Sequence, residues 1–157
     1  MFEVSETINT LKTIFEKHSQ ERSCVIGTVC VGKTTLLNQL TEYGCEDLDL
    51  VLWSNIPEEE TVFLNRTSWS QEFSDEIDRL VYKYVRVKKG HPLFTTVIVD
   101  CEAVVYLDIS DDLLAEHCHN RNVDFSDAKK IKEAIENDWM NHKAKKDKTL
   151  YYLVVTE

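Results

Sequence analysis

Residues Gly27 to Thr34 read Gly-Thr-Val-Cys-Val-Gly-Lys-Thr, a match to the phosphate-binding pattern G-x-x-x-x-G-K-[ST]. The pattern constrains the fold because its chemistry needs a strand before it and a helix after it. Backbone N–H groups of the loop must face inward, and the following helix must add its positive end. Both flanks are present: Cys24-Val25-Ile26 is a short apolar run, and Thr35-Leu36-Leu37-Asn38-Gln39-Leu40 continues as a helical stretch. Gly27 and Gly32 allow tight turning and close approach to oxygen atoms. Lys33 supplies a mobile cation, and the Thr34 hydroxyl is a ligand for Mg2+. Thr28, Val29, Cys30, Val31 and Thr35 complete the expected cradle. The bland alternative is a glycine turn followed by a helix with a solvated lysine, and the flanking strand and helix argue against it.

The 157 residues fit one domain, 1–157, since single domains cluster near 100 to 150 residues. Hydrophobic residues at 43% leave enough apolar surface for a core, yet no apolar stretch nears the roughly 20 residues that span a bilayer. The opening Met1-Phe2-Glu3-Val4-Ser5-Glu6 lacks the basic region and apolar run of a secretory signal. A cytoplasmic, or nuclear, location is therefore expected, with no membrane partner. The Asn65-Arg66-Thr67 glycosylation pattern is discarded on the same ground. A net charge of −10 excludes general affinity for polymeric nucleic acid, whereas a mononucleotide can be held by local dipoles and a few cations.

Five cysteines, Cys24, Cys30, Cys45, Cys101 and Cys118, form no C-x-x-C pair and read as reduced, mostly buried thiols. His117-Cys118-His119 lacks the spacing of a four-ligand zinc site and reads as a polar helix end.

Apolar spacing predicts an N-terminal helix over about Ser5 to Lys17, within a helical lead of residues 1–21, and the strand Ser23 to Gly27 follows. A helix from about Lys33 to Tyr43 stops at Gly44, and Leu48 to Trp53 reads as a second strand. Thr61 to Leu64 is a third strand, and Ser70 to Arg86 a helix broken by Gly90-His91-Pro92. Val97 to Val99 and Val104 to Ile109 are further strands, the second continuously apolar and therefore central. Ser110 caps a helix to about His119, a lid-like polar segment spans about 120–124, and Ser126 caps a longer helix carrying Ile131, Ile135 and Trp139. Leu150 to Val155 is the last strand. This alternation predicts an α/β fold with a mainly parallel sheet of about five strands and helices on both faces, with ligands at the carboxyl ends of the strands.

There is no N-K-x-D or D-x-x-G element of small GTPases, and no room for a hexameric motor module. Val62-Phe63-Leu64-Asn65-Arg66-Thr67-Ser68-Trp69-Ser70 resembles the strand and E-R-S or D-R-x motif of deoxynucleoside and thymidylate kinases. Val104 to Asp112 is similar to their Y-L-D strand and the helix after it. The resemblance covers about residues 22 to 156. It implies the three-layer P-loop NTPase fold, ATP and Mg2+ as cofactors, a nucleoside or nucleotide as phosphoryl acceptor, and a possible homodimer.

Phosphoryl transfer is mostly positioning and charge stabilisation, so cations from separate elements should converge on the moving group. Lys33, Arg66 and Arg121 are the candidates, Arg121 falling where the lid arginine of those kinases would be. For Arg66 the plain alternative is a strand-end arginine paired with one of Glu58 to Glu60, and for Arg121 a cation at a helix C-terminus. Asp49 is the candidate base for an acceptor hydroxyl, against a solvent-facing strand residue. Asn65 stands where those kinases carry an acid, so a second metal ligand is sought at Asp100, after the apolar run Thr96 to Val99; its alternative is the start of a turn. Only Ser54 to Glu60 separates the second and third strands, where the relatives insert a substrate-binding region. A catalytically reduced nucleotide-binding relative that acts through a protein partner is therefore the second expectation.

Overall fold

The computed structural model describes residues 2–28, 30–57, 59, 71–99, 101–145 and 149–156, with the backbone alone at 2–5, 49, 53, 71, 73 and 74. Five strands form one sheet in which every pairing is parallel: β1 (Ser23–Ile26), β2 (Glu46–Asp47), β3 (Leu93–Thr95), β4 (Ala103–Ile109) and β5 (Leu150–Thr156), in the spatial order β2-β3-β1-β4-β5. Parallel strands need crossovers, and among the described residues six α-helices connect or flank them: α1 (Phe2–Lys17), α2 (Lys33–Gln39), α3 (Leu48–Asn55), α4 (Gln71–Tyr84), α5 (Asp111–Asn120) and α6 (Phe125–Lys145). The chain is thus α/β, as its alternation of patterns predicts.

Side-chain alternation along the interior strands splits the core in two. On β1, Val25 faces one way, Cys24 and Ile26 the other; on β4, Val105, Leu107 and Ile109 oppose Val104 and Tyr106. The first face packs against Leu11 and Phe15 of α1, Leu36 of α2 and Leu114 of α5. The second packs against Leu52 of α3, Leu80 and Val81 of α4, and Ile135 and Trp139 of α6. Strands covered on both faces explain why the run Val104 to Ile109 is continuously apolar. It is an interior strand between β1 and β5, while the middle of the sheet belongs to β1.

Three sequence expectations are corrected. Leu48 to Trp53 lies in helix α3, and the second strand is the short Glu46–Asp47. Leu48, Leu52 and Ile56 are buried at i, i+4, i+8, while Leu50 is 71% exposed, and a strand would put Leu48, Leu50 and Leu52 on one face. Burying each leucine or isoleucine side chain contributes about 1.5 to 3 kcal/mol, which outweighs a β-propensity scale spanning about 1 kcal/mol.

Val97 to Val99 is not a strand; the third strand is Leu93–Thr95. It ends because the Thr95 hydroxyl accepts from the Val97 N–H at 2.9 Å, a local bond that competes with the ladder. The long C-terminal helix begins at Phe125 and not after Ser126. Asp124 Oδ1 accepts from the Ser126 N–H at 2.8 Å, so Asp124 takes the capping role.

The remaining elements follow the periodic pattern. Helix α1 spans Phe2–Lys17, the helix expected to reach Tyr43 divides into α2 and a 3-10 turn at Thr41–Tyr43, and Gly44 ends it at φ 61°. Ser110 caps α5, its hydroxyl accepting from the Leu113 N–H at 3.2 Å. The strand expected at Thr61 to Leu64 lies outside the described residues.

Candidate functional site

The chain leaves β1 at Ile26 and enters the Gly27–Thr34 loop between β3 and β4. Gly27 still donates its N–H to Thr95 O at 3.1 Å, continuing the sheet for one residue. A side chain would be crowded there: a Cβ would meet Val31 Cγ1 at 2.9 Å and Leu107 Cβ at 3.3 Å. The Val31 N–H returns to Thr28 O at 3.3 Å, closing a turn, and Gly32 takes φ 108° before helix α2 begins at Lys33. Gly32 caps α2 without a side-chain hydrogen bond. The connection from β1 runs toward β2 and that from β4 toward β5, so the loop stands where crossovers diverge in opposite directions. Open parallel sheets place their ligand crevice at such a point.

Lys33 folds back over the loop, its Nζ donating to Gly27 O at 2.8 Å. Two more bonds fix the loop from outside. Thr28 Oγ1 donates to Ala128 O in α6 at 2.8 Å, and Nδ1 of His117 in α5 lies 2.7 Å from Cys30 O. Cys30 has φ 66°, a left-handed conformation that costs a non-glycine residue roughly 1 to 2 kcal/mol. Its thiol is buried in the core cluster that also holds Cys118. Burial and the neighbouring Cys30 push the Cys118 thiol up to about 11.

Thr34 and Thr35 are exposed at the start of α2. Thr34 lines a cleft of about 870 Å3 that also takes in Asn38, Asp47 of β2, Ser54 and Asn55 of α3, and Arg86. The cleft combines hydroxyl, amide, carboxylate and guanidinium groups. Hard oxygen donors of this kind, the Thr34 hydroxyl and the Asp47 carboxylate, suit Mg2+. Beneath the cleft, burial pushes the Cys45 thiol up to about 12, which keeps it protonated.

Of the residues expected from sequence, Gly27, Thr28, Cys30, Val31, Gly32, Lys33, Thr34 and Thr35 form this one loop and helix start. Val29, Arg66 and Asp100 lie outside the described residues. Asp49 sits in the first turn of α3 and not in a strand, two residues past the end of β2. Arg121 is exposed and closes α5 as its C-cap, its N–H bonding to the His117 and Cys118 carbonyls, one turn from the His117 contact to the loop. His117 is thus more than part of a polar helix end.

Two loop partners, His117 and Ala128, carry no signal in the local sequence, because their role arises from helices packed across the sheet. Asp47, the last residue of β2, is not among the residues expected from sequence, because the sequence pattern puts the second strand at Leu48 to Trp53.

A second cleft, of about 700 Å3, lies on the other face between α4 and α6 and touches none of the loop residues. There Asp78 is raised to about 6, by burial first and then by Asp138 and Asp75, and Asp138 is raised in turn. At the amino end of the sheet, Arg22 pairs with Glu102 (2.8 Å) and holds its carboxyl below the usual range. Among the described residues no group of three or more His, Cys, Asp or Glu side chains is arranged to hold a metal ion, and no helix is long and apolar enough to cross a membrane.

The chain matches no protein-family model and no curated protein.

Proposed function

We propose that this chain is a small kinase of the P-loop type, which transfers the γ-phosphoryl group of ATP to a nucleoside or nucleotide. The observation that carries the reading is Lys33 Nζ seated on Gly27 O, in a glycine loop between β1 and α2 at the point where crossovers diverge. In that position the ammonium sits within reach of the concave side of the loop, where the outer phosphates of a nucleotide would lie. Thr34, with Asp47 on the same cleft and Asp100 from the sequence pattern, would hold Mg2+, whose chemistry is to neutralise charge on the phosphate oxygens. The cleft beside Thr34 is the acceptor side, with Asp49 at the start of α3 as the candidate base for an acceptor hydroxyl. Arg121 and Arg66 are the candidate cations for the transferring group.

A nucleotide-binding relative without turnover is the second reading, favoured by Asn65 in place of an acid. Incubation with Mg-ATP and a panel of nucleosides and nucleotides separates the two. A phosphorylated product that disappears in Lys33→Ala supports the kinase. ATP binding with no product from any acceptor supports the second reading and removes the first.

A further inference from the structure

Cys30 is an unusual residue for its position. Its left-handed backbone, φ 66°, favours glycine, so a side chain is kept there at a conformational cost. What that side chain adds is a thiol, buried to 4% exposure in the core cluster that also holds Cys118, which is 1% exposed on helix α5. The two thiols share one core cluster, and Nδ1 of His117, the residue before Cys118, lies 2.7 Å from the Cys30 carbonyl oxygen, so α5 meets the loop at this point. Cys24 and Cys101 share the cluster on the opposite face, away from the loop, where the Cys24 thiol donates to Val99 O at 3.4 Å, and Cys45 is half-buried in the wall of the cleft at Thr34.

We propose that Cys30 and Cys118 form a redox-responsive dithiol, oxidised to a disulfide that ties the Gly27–Thr34 loop to helix α5 and withdraws it from nucleotide binding. The regulatory consequence rests on the nucleotide-binding reading of the loop; the dithiol chemistry does not. The oxidant is a peroxide. One thiolate attacks a peroxide oxygen, the O–O bond breaks, and a sulfenic acid and water result. The second sulfur then displaces the sulfenic hydroxyl, which leaves as water with that thiol's proton. Two thiols and one hydrogen peroxide give one disulfide and two waters, sulfur being oxidised and peroxide oxygen reduced.

Because the pair is buried to 4% and 1% exposure, peroxide reaches it through local opening of the loop. A ligand that holds the loop closed therefore slows oxidation. Once formed, the covalent tie removes the freedom the loop needs to adjust around phosphates, since a disulfide tolerates only a narrow geometry.

The test treats the full chain with hydrogen peroxide, digests it without reduction, and measures affinity for a fluorescent ATP analogue before and after. A peptide linking Cys30 to Cys118, with affinity falling about tenfold or more and restored by dithiothreitol, is the expected result. Cys118→Ala, with Cys118→Ser beside it should alanine fail to fold, binds the analogue as the parent does and keeps its affinity after peroxide. Absence of the linked peptide while Cys45 becomes oxidised would overturn the dithiol. A linked peptide with unchanged affinity, or a Cys118→Ala protein inactivated as readily as the parent, overturns the regulation. A reduced protein that never binds the analogue overturns the reading of the loop, and the regulation with it. The linked peptide then decides the thiol chemistry alone.

Discussion

Nδ1 of His117 lies 2.7 Å from the carbonyl oxygen of Cys30, joining the fifth helix to the loop after the first strand across 87 residues of sequence. The bond sits at the strained residue of the loop, so it holds a backbone conformation that Cys30 would not keep unaided. His117→Phe leaves the Cys30 carbonyl without this partner. Its unfolding free energy is expected to fall by about 1 to 3 kcal/mol in urea titration, with His117→Asn losing less. An unchanged urea midpoint for His117→Phe would show that the bond adds nothing.

The two glycines of the loop answer to different physics. Gly27→Ala forces a Cβ onto Val31 and Leu107, so the cost is steric, about 1 to 3 kcal/mol as for other overpacked sites. Gly32→Ala meets no atom within 4 Å but must hold φ 108°, so its cost is conformational, on the order of 1 to 2 kcal/mol. The two separate in a double mutant with Val31→Ala. Trimming Val31 should recover part of the Gly27→Ala loss and none of the Gly32→Ala loss, as read by thermal or denaturant unfolding. Equal recovery would contradict the assignment.

Asp78 supplies a pH dependence with a defined sign. Its folded value of about 6 lies above the ordinary carboxyl value of 3.8, through burial, then Asp138 and Asp75, so the folded state binds more protons over that interval. The stability this group contributes is therefore complete below about pH 4 and is lost as the pH rises through about 6. Across the same cleft stand Asp138 on α6, the cations Arg22, Arg86 and Lys145, and the imidazole of His142. Asp78 is exposed to solvent, which trims the amplitude. Asp78→Asn should flatten the fall in unfolding free energy between pH 4 and 6, and a slope identical to the parent's would remove Asp78 as its source.

Lys33 and Arg121 should fail in different kinetic terms. Lys33→Ala removes a cation from the concave side of the loop and should weaken ATP binding by about tenfold or more, the loss of a charge-assisted contact of about 1.5 to 3 kcal/mol. Arg121→Ala should lower turnover more than ATP affinity, because its proposed contact forms with the transferring group. Isothermal titration beside a product assay distinguishes them. An Arg121→Ala rate equal to the parent's would return that residue to the role its backbone already has, the end of α5.

Asp100 is tested by the metal. If it ligates Mg2+, Asp100→Asn should weaken nucleotide binding in the presence of Mg2+ and leave Mg2+-free binding unchanged. Equal losses in the two conditions would assign its effect to folding.

The sequence by itself determined what short-range patterns encode. The glycine and lysine spacing of Gly27 to Thr34, the alternation of apolar strands with amphipathic helices, and the cap at Ser110 all depend on residues within a turn or two of one another. A strand covered on both faces reads as a continuous apolar run, which made Val104 to Ile109 legible. The same property misled at Leu48 to Trp53, where a buried helix gives an equally apolar run and only the contacts of Leu48, Leu52 and Ile56 decide the period.

Tertiary structure alone decided the order of the strands and the grip on the loop by His117 and Ala128. It also decided that Thr34 shares its cleft with Asp47. These are contacts between elements distant in sequence, set by which helix covers which face of the sheet, and no local periodicity carries that information.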